Sequence, residues 1–177
     1  MTVSKTFKIN WNMRATWQYV KTPDSTITDS PEIKDNNEYS MIDELTNGTG
    51  GADLAYVIWH DIRALAHSSN EEFDLAGGLT DAFGDSFSFS IIKGIIIRHL
   101  GTSDTPATLE VGGATNAFFD FMGSATDKIK IGAGGMVSFF NPTTAGYDVV
   151  AGSADILKIA NTSGSEEVTY QLILFGE

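Results

Sequence analysis

Three histidines, two pairs of adjacent glutamates, a few serines beside glycines and two glycine-rich stretches are the parts of this 177-residue chain that could act on another molecule. The histidines are His60, His67 and His99. A transition metal needs imidazoles that converge, either on one face of a strand or about a helical turn apart. His60 and His67 are seven positions apart and meet neither condition. His60 and Asp61 are neighbours, which a strand sends to opposite faces. A three-histidine centre would have to be assembled by the fold alone. The spacing therefore points to surface or strand-edge histidines.

Glu71/Glu72 and Glu166/Glu167 offer the paired carboxylates that a glycosidase uses. Each pair sits in a polar, turn-like segment, where acids serve to solvate the surface. The serines of GSADI and TSGSEE do not match the small-residue frame of a strained nucleophile turn and read as turn residues. GTGG at 48–51 and GAGG at 132–135 lack the Lys-Ser/Thr and the following helix of a phosphate loop, and are expected to be hairpin turns. Asp81 and Asp85 in DAFGDSF hint at calcium, but without the spaced acids and terminal glutamate of an EF-hand. Trp11, Trp17, Trp59 and the tyrosines could stack on a sugar. With eleven phenylalanines beside them, core packing is the favoured role. No catalytic, cofactor-binding or metal-ligating residue is assigned, no cofactor is expected, and the chain is not expected to be an enzyme.

Bulk composition narrows the partners. There are 23 acidic and 11 basic residues, a formal net charge of −12, and the acids are scattered rather than blocked. Such a chain is repelled by phosphate backbones and by anionic lipid, so neither nucleic acid nor membrane is an expected partner. Without cysteine there is no disulfide framework and no thiolate metal site. The opening residues MTVSKTFKINWNMR alternate polar and apolar and lack the apolar core of a signal peptide. The longest purely apolar run is far short of a bilayer span. A soluble protein made in a cytosol is expected.

The elements that must carry these residues are strands. TFKINW and ATWQYV each alternate and suggest an N-terminal strand pair within residues 1–22. Residues 22–50 are polar, hold Pro23 and Pro31, and read as a long loop with a short helical turn over 40–46, or as an arm that packs on a neighbour. From 51 onward strands recur at short intervals. AYVIWHDIRALA is read as a strand because its first half is rich in Tyr, Val, Ile and Trp. SFSFSIIKGIIIRHL alternates strictly and then thickens at Ile95–Ile97, where both faces should be buried. Gly94 inside it suggests a bulge or a close backbone approach. NAFFDFMG reads as a loop packed on the core. In VTYQLILFG, Val168, Tyr170, Leu172 and Leu174 share one face. Eight or more such strands, with no helical period between them, predict an all-β protein. The expected form is an antiparallel β-sandwich of jelly-roll type over 51–177, preceded by the strand pair and extended arm of 1–50.

LTNGTGGADLAYVIWHDIRALA, EEFDLAGGLTDAFGDSFSFSIIKGIIIRHL and GYDVVAGSADILKIANTSGSEEVTYQLILFG resemble, in this order, small structural proteins of tailed bacteriophages and prophages. The likeness covers roughly residues 45–177. It implies a virion component assembled in the host cytoplasm. The first expectation is a capsid decoration or cement protein that binds the major capsid protein or other virion proteins and stabilises the head lattice. The alternative is a jelly-roll module of a head or tail fibre that binds host-surface glycan. No catalytic residue transfers from the resemblance. A capsid displays its parts around symmetry axes, so a homo-oligomer, with a trimer favoured, is expected.

Overall fold

The computed structural model describes residues 8–21, 33–80, 84–102 and 107–177, with side chains from Leu45 onward. Backbone proximity divides the chain into two compact units, Met1–Leu45 and Thr46–Glu177. Among the described residues every regular element is a strand.

In the first unit, strand β1 (Lys8–Lys21) is a neighbour of β2 (Ile33–Asn47). This corrects two expectations. Lys8–Lys21 is one strand rather than a pair, and most of the supposed loop at 22–50 is its partner strand, with no helical turn at 40–46. The composition of β2, IKDNNEYSMIDELTN, hid it, because Asp, Asn and Glu are poor strand formers. A backbone ladder to an adjacent strand outweighs that weak preference. In sequence, Tyr39, Met41 and Leu45 do keep the two-residue period. Trp11 and Trp17, considered above for sugar stacking, have side chains outside the described set.

The second unit opens where the last two residues of β2 pair in parallel with β3 (Leu54–Ala55). Then come β4 (Val57–Leu65), β5 (Asn70–Asp74), β6 (Leu79–Thr80), β7 (Ser86–Phe87), β8 (Ile91–His99) and β9 (Leu109–Gly112). They are followed by β10 (Lys128–Ile131), β11 (Met136–Phe140), β12 (Tyr147–Asp148), β13 (Ile156–Asn161) and β14 (Val168–Gly176). One antiparallel sheet has the order β11-β8-β14-β4, with β12 alongside β8, and a second has the order β10-β9-β13-β5. β6 and β7 form a small ribbon.

A single hydrophobic cluster draws on both sheets. Ile92, Ile95, Ile97, Leu172 and Leu174 come from the first; Leu109, Val111, Leu157 and Ile159 come from the second. The shared face read from β14 is the buried one: Val168, Tyr170, Leu172 and Leu174 are fully buried. β4 is a strand, held to β14 over its whole length. NAFFDFMG is a loop whose Phe118 enters the core and whose Phe121 rings with Phe139 and Tyr147. The doubly buried stretch of β8 falls at Ile92–Ile95, slightly earlier than expected, with Ile96 half-buried.

Neither glycine-rich stretch is a hairpin. GAGG links β10 to β11, which lie in different sheets, through a turn closed by Gly135 N–H on Gly132 O with Gly134 at positive φ. GTGG lies between strands that pair in parallel. A glycine turn between alternating runs suits a hairpin and a sheet-to-sheet crossover equally. The choice is made by which core face each run must cover, which local sequence does not encode.

Candidate functional site

The residues with chemical potential are distributed rather than gathered. Among the described residues no group of three His, Asp or Glu side chains could hold a metal ion. His60 is exposed on β4 and His67 is exposed in the turn that follows. His99, at the end of β8, is fully buried, which spacing alone did not foretell. Its Nδ1 accepts from the Gly101 N–H at 2.9 Å, which leaves Nε2 to donate to Ala107 O at 3.1 Å. Both ring nitrogens of a neutral imidazole are thereby used. Asp81, and with it the calcium reading of DAFGDSF, lies outside the described residues.

Glu166 and Glu167 are both exposed in the loop before β14, and the Glu71/Glu72 pair separates. Glu71 faces the second sheet's inner side, opposite Ile159, while Glu72 faces outward and meets Lys158 at 3.4 Å. Neighbours on a strand cannot flank one sugar bond. Ser163 Oγ accepts from Glu166 N–H at 2.9 Å and Ser165 N–H at 3.2 Å, the bonding of a serine that closes a turn. Trp59 packs edge-on against Phe73 and donates from its indole to Thr80 O. Tyr56 is the one exposed aromatic among the described side chains, so these side chains form no stacking platform.

Two polar clusters do assemble, and both tie distant segments together. The first bridges the sheets at the β4/β5 side. Arg63 of β4 donates through Nε to Glu71 Oε2 at 2.8 Å and through Nη1 to Asp61 Oδ2 at 2.9 Å. Tyr170, directly opposite Arg63 on β14, donates its hydroxyl to the same Glu71 oxygen. The Arg63 guanidinium also lies over the Phe73 ring. Its bond to Glu71 is the main reason Arg63 holds its proton more firmly than a free guanidinium.

Burial first, and then the bond to and charge of Glu71, push the Tyr170 phenol well above its ordinary range. The folded chain therefore keeps a proton that the unfolded chain releases above about pH 10. This stabilisation is complete below that pH and declines as pH rises, by at most about 1.4 kcal/mol per pH unit for one proton. Tyr147, raised chiefly by burial and then by Asp120, acts in the same direction. Urea midpoints measured between neutral pH and pH 11 should fall on the alkaline side. Tyr170→Phe should flatten that fall, and an unchanged alkaline slope in the variant would contradict the assignment.

The second cluster is a cage around Lys93, a fully buried lysine on β8. Its Nζ donates to Thr143 O, to Thr144 O at 3.1 Å and to Gly51 O at 3.5 Å, with Glu177 Oε1 also at 3.5 Å. Glu177 Oε2 accepts from Gly50 N–H at 2.6 Å. Asn141 shapes the facing loop by donating to Gly146 O and accepting from Thr143 N–H and Oγ1. One ammonium thus fastens the segment after β2, the 141–146 loop and the end of β14.

The cage places residues 46–51 with the second unit, whereas the sequence suggested a boundary after residue 50. A chain of residues 46–177 is expected to fold alone, with strand-type circular dichroism and a cooperative urea transition. Cutting further, to 52–177, removes the Gly50 and Gly51 partners and should cost about 3–6 kcal/mol, the range for two hydrogen bonds to charged groups. Equal stability of the two fragments would contradict the role given to the cage.

No family model matches this chain, and no curated protein or solved structure matches it either.

Proposed function

We propose that this chain is a structural component of a tailed-bacteriophage particle, a head-decoration protein that binds the capsid lattice and stabilises it. The observation that carries the reading is the strand order. The chain runs from β4 to β5, back to β8, across to β9 and β10, back to β11, across to β13 and back to β14. That path gives sheets β4-β14-β8-β11 and β5-β13-β9-β10. It supports a jelly roll, in which eight strands of two Greek keys alternate between facing sheets, an architecture used by viral capsid and lectin domains. The step from architecture to role is analogy. It gains weight from the resemblance of residues 45–177 to phage structural proteins.

The side chains support the same reading. His99, Arg63, Glu71, Tyr170 and Lys93 all spend their polar groups on holding strands and loops together. A domain built this way acts through its surface. Electron microscopy and mass spectrometry of purified particles test the proposal. The protein should be found on the head, and particles lacking it should lose resistance to heat and osmotic shock. Absence from purified heads, with unchanged resistance of the deletion particles, would overturn the reading. Binding of the assembled protein to a glycan array would favour the fibre module instead.

A further inference from the structure

We propose that the outer face of the β11-β8-β14-β4 sheet is the surface through which this chain associates with further copies of itself. The inference rests on the virion reading only for its biological setting. Its physical basis is a contrast between the outer faces of the two sheets.

The outer face of β10-β9-β13-β5 is dressed for water. Glu72 pairs with Lys158 at 3.4 Å across β5 and β13, and Glu110 of β9 pairs with Lys128 and Lys130 of β10 at 3.1 and 3.4 Å. Lys128 and Lys130 also hold the Glu110 carboxyl below its ordinary range. The outer face of the other sheet carries exposed apolar side chains among the polar His60, Thr169, Gln171, Arg98 and Ser138. Cross-strand register places Ile62 of β4 in one row with Gln171, Arg98 and Met136, and Ile96 and Ile173 side by side in the adjacent row. Ile62 is 59% exposed, Met136 63% and Ile58 43%. Ile58 and Ile62 on β4 and Met136 on β11 are large apolar side chains left exposed on one face, while the opposite face is laced with ion pairs, and this contrast marks an interaction surface.

Charge selects the occupant. A copy of this chain carries −12, so two copies repel wherever carboxylates face one another. The paired rows of this face, from β4 to β11, hold no Asp or Glu, and their one fixed charge is the exposed Arg98. Among the described residues it is a surface where a like-charged copy meets little repulsion, and a copy brings the same exposed apolar side chains. A basic partner would be drawn instead to the carboxylate-bearing surfaces.

Light scattering on the full chain tests this. The wild type should run at a multiple of the 19.0 kDa chain mass. Ile62→Glu and, independently, Met136→Glu should reduce it to single-chain mass with unchanged circular dichroism. Both residues are exposed, so folding should survive. Val150→Glu adds the same charge at an exposed apolar residue outside this sheet and should keep the oligomer. Association should also persist at about 1 M salt, where charge repulsion is screened. A wild type that is monomeric into the millimolar range, unchanged mass in both glutamate variants, equal dissociation by Val150→Glu, or dissociation by salt would each overturn the inference. Monomers found on purified heads would overturn it and leave the decoration reading intact. Oligomers dissociated by Ile62→Glu but missing from purified particles would do the reverse.

Discussion

Lys93→Met is expected to lower the unfolding free energy by about 3–5 kcal/mol, the range for removing one partner of a buried ion pair. The substitution preserves much of the side chain's length, so little of the loss comes from a cavity. It comes from what is left behind. Glu177 keeps its Gly50 bond through Oε2, but its buried Oε1 loses the neighbouring positive charge and has no other partner, and the carbonyls of Thr143 and Thr144 lose a donor. A buried acceptor left unpaired, as Glu177 Oε1 would be, costs more than its hydrogen bond contributes. Glu177→Gln should cost less, because the carbonyls still satisfy the ammonium and the Gly50 bond can be retained. Combining the two substitutions should cost less than the sum of the singles, since each removes the other's partner. Urea unfolding with an unchanged m-value is the measurement. A loss below about 1 kcal/mol for Lys93→Met would show that the cage does not restrain the fold.

The cage also marks where sequence reasoning stops. IIKGIII reads as an apolar strand, and a lysine in such a run is ordinarily found with its ammonium in water. Its acceptors are 42, 50 and 51 positions away, so no local pattern announces them. The same holds for Glu71 and Tyr170, which are 99 positions apart. By contrast, the buried face of β14 and the strand character of β4 follow from the two-residue period, because that period is set by the pleat wherever the chain pairs. β2 was lost for the opposite reason: its ladder prevails over a composition rich in Asp, Asn and Glu. His99 belongs with Lys93: its spacing points to a surface or strand-edge place, yet it is buried, and the two backbone groups that satisfy it depend on how the chain turns after β8.

Gly94→Ala is expected to cost about 3 kcal/mol, near the top of the usual range for overpacking. The sequence flagged Gly94 as a bulge or close approach, and the structure makes it a close approach. Gly94 stands directly opposite Phe175, and a Cβ there would lie 2.1 Å from the Phe175 ring at its nearest atom. The ring is 1% exposed, with the Phe140 ring beside it at 6.2 Å, so it has little freedom to move aside. An aromatic lying over a cross-strand glycine is a known way to pin sheet register. Because the obstacle is a side chain, Phe175→Leu should relieve it. Gly94→Ala with Phe175→Leu should be more stable than the sum of the single losses predicts, by about 1–2 kcal/mol. The adjacent Gly176 offers no such relief. A Cβ there would lie 2.0 Å from Ile91 O and 2.9 Å from Ile92 Cα, both backbone, at the point where the β8–β14 register shifts. Gly176→Ala should therefore be at least as damaging as Gly94→Ala, and Phe175→Leu should not rescue it. Additive losses for Gly94→Ala and Phe175→Leu, or equal rescue at both glycines, would show that Phe175 does not set the spacing between β8 and β14.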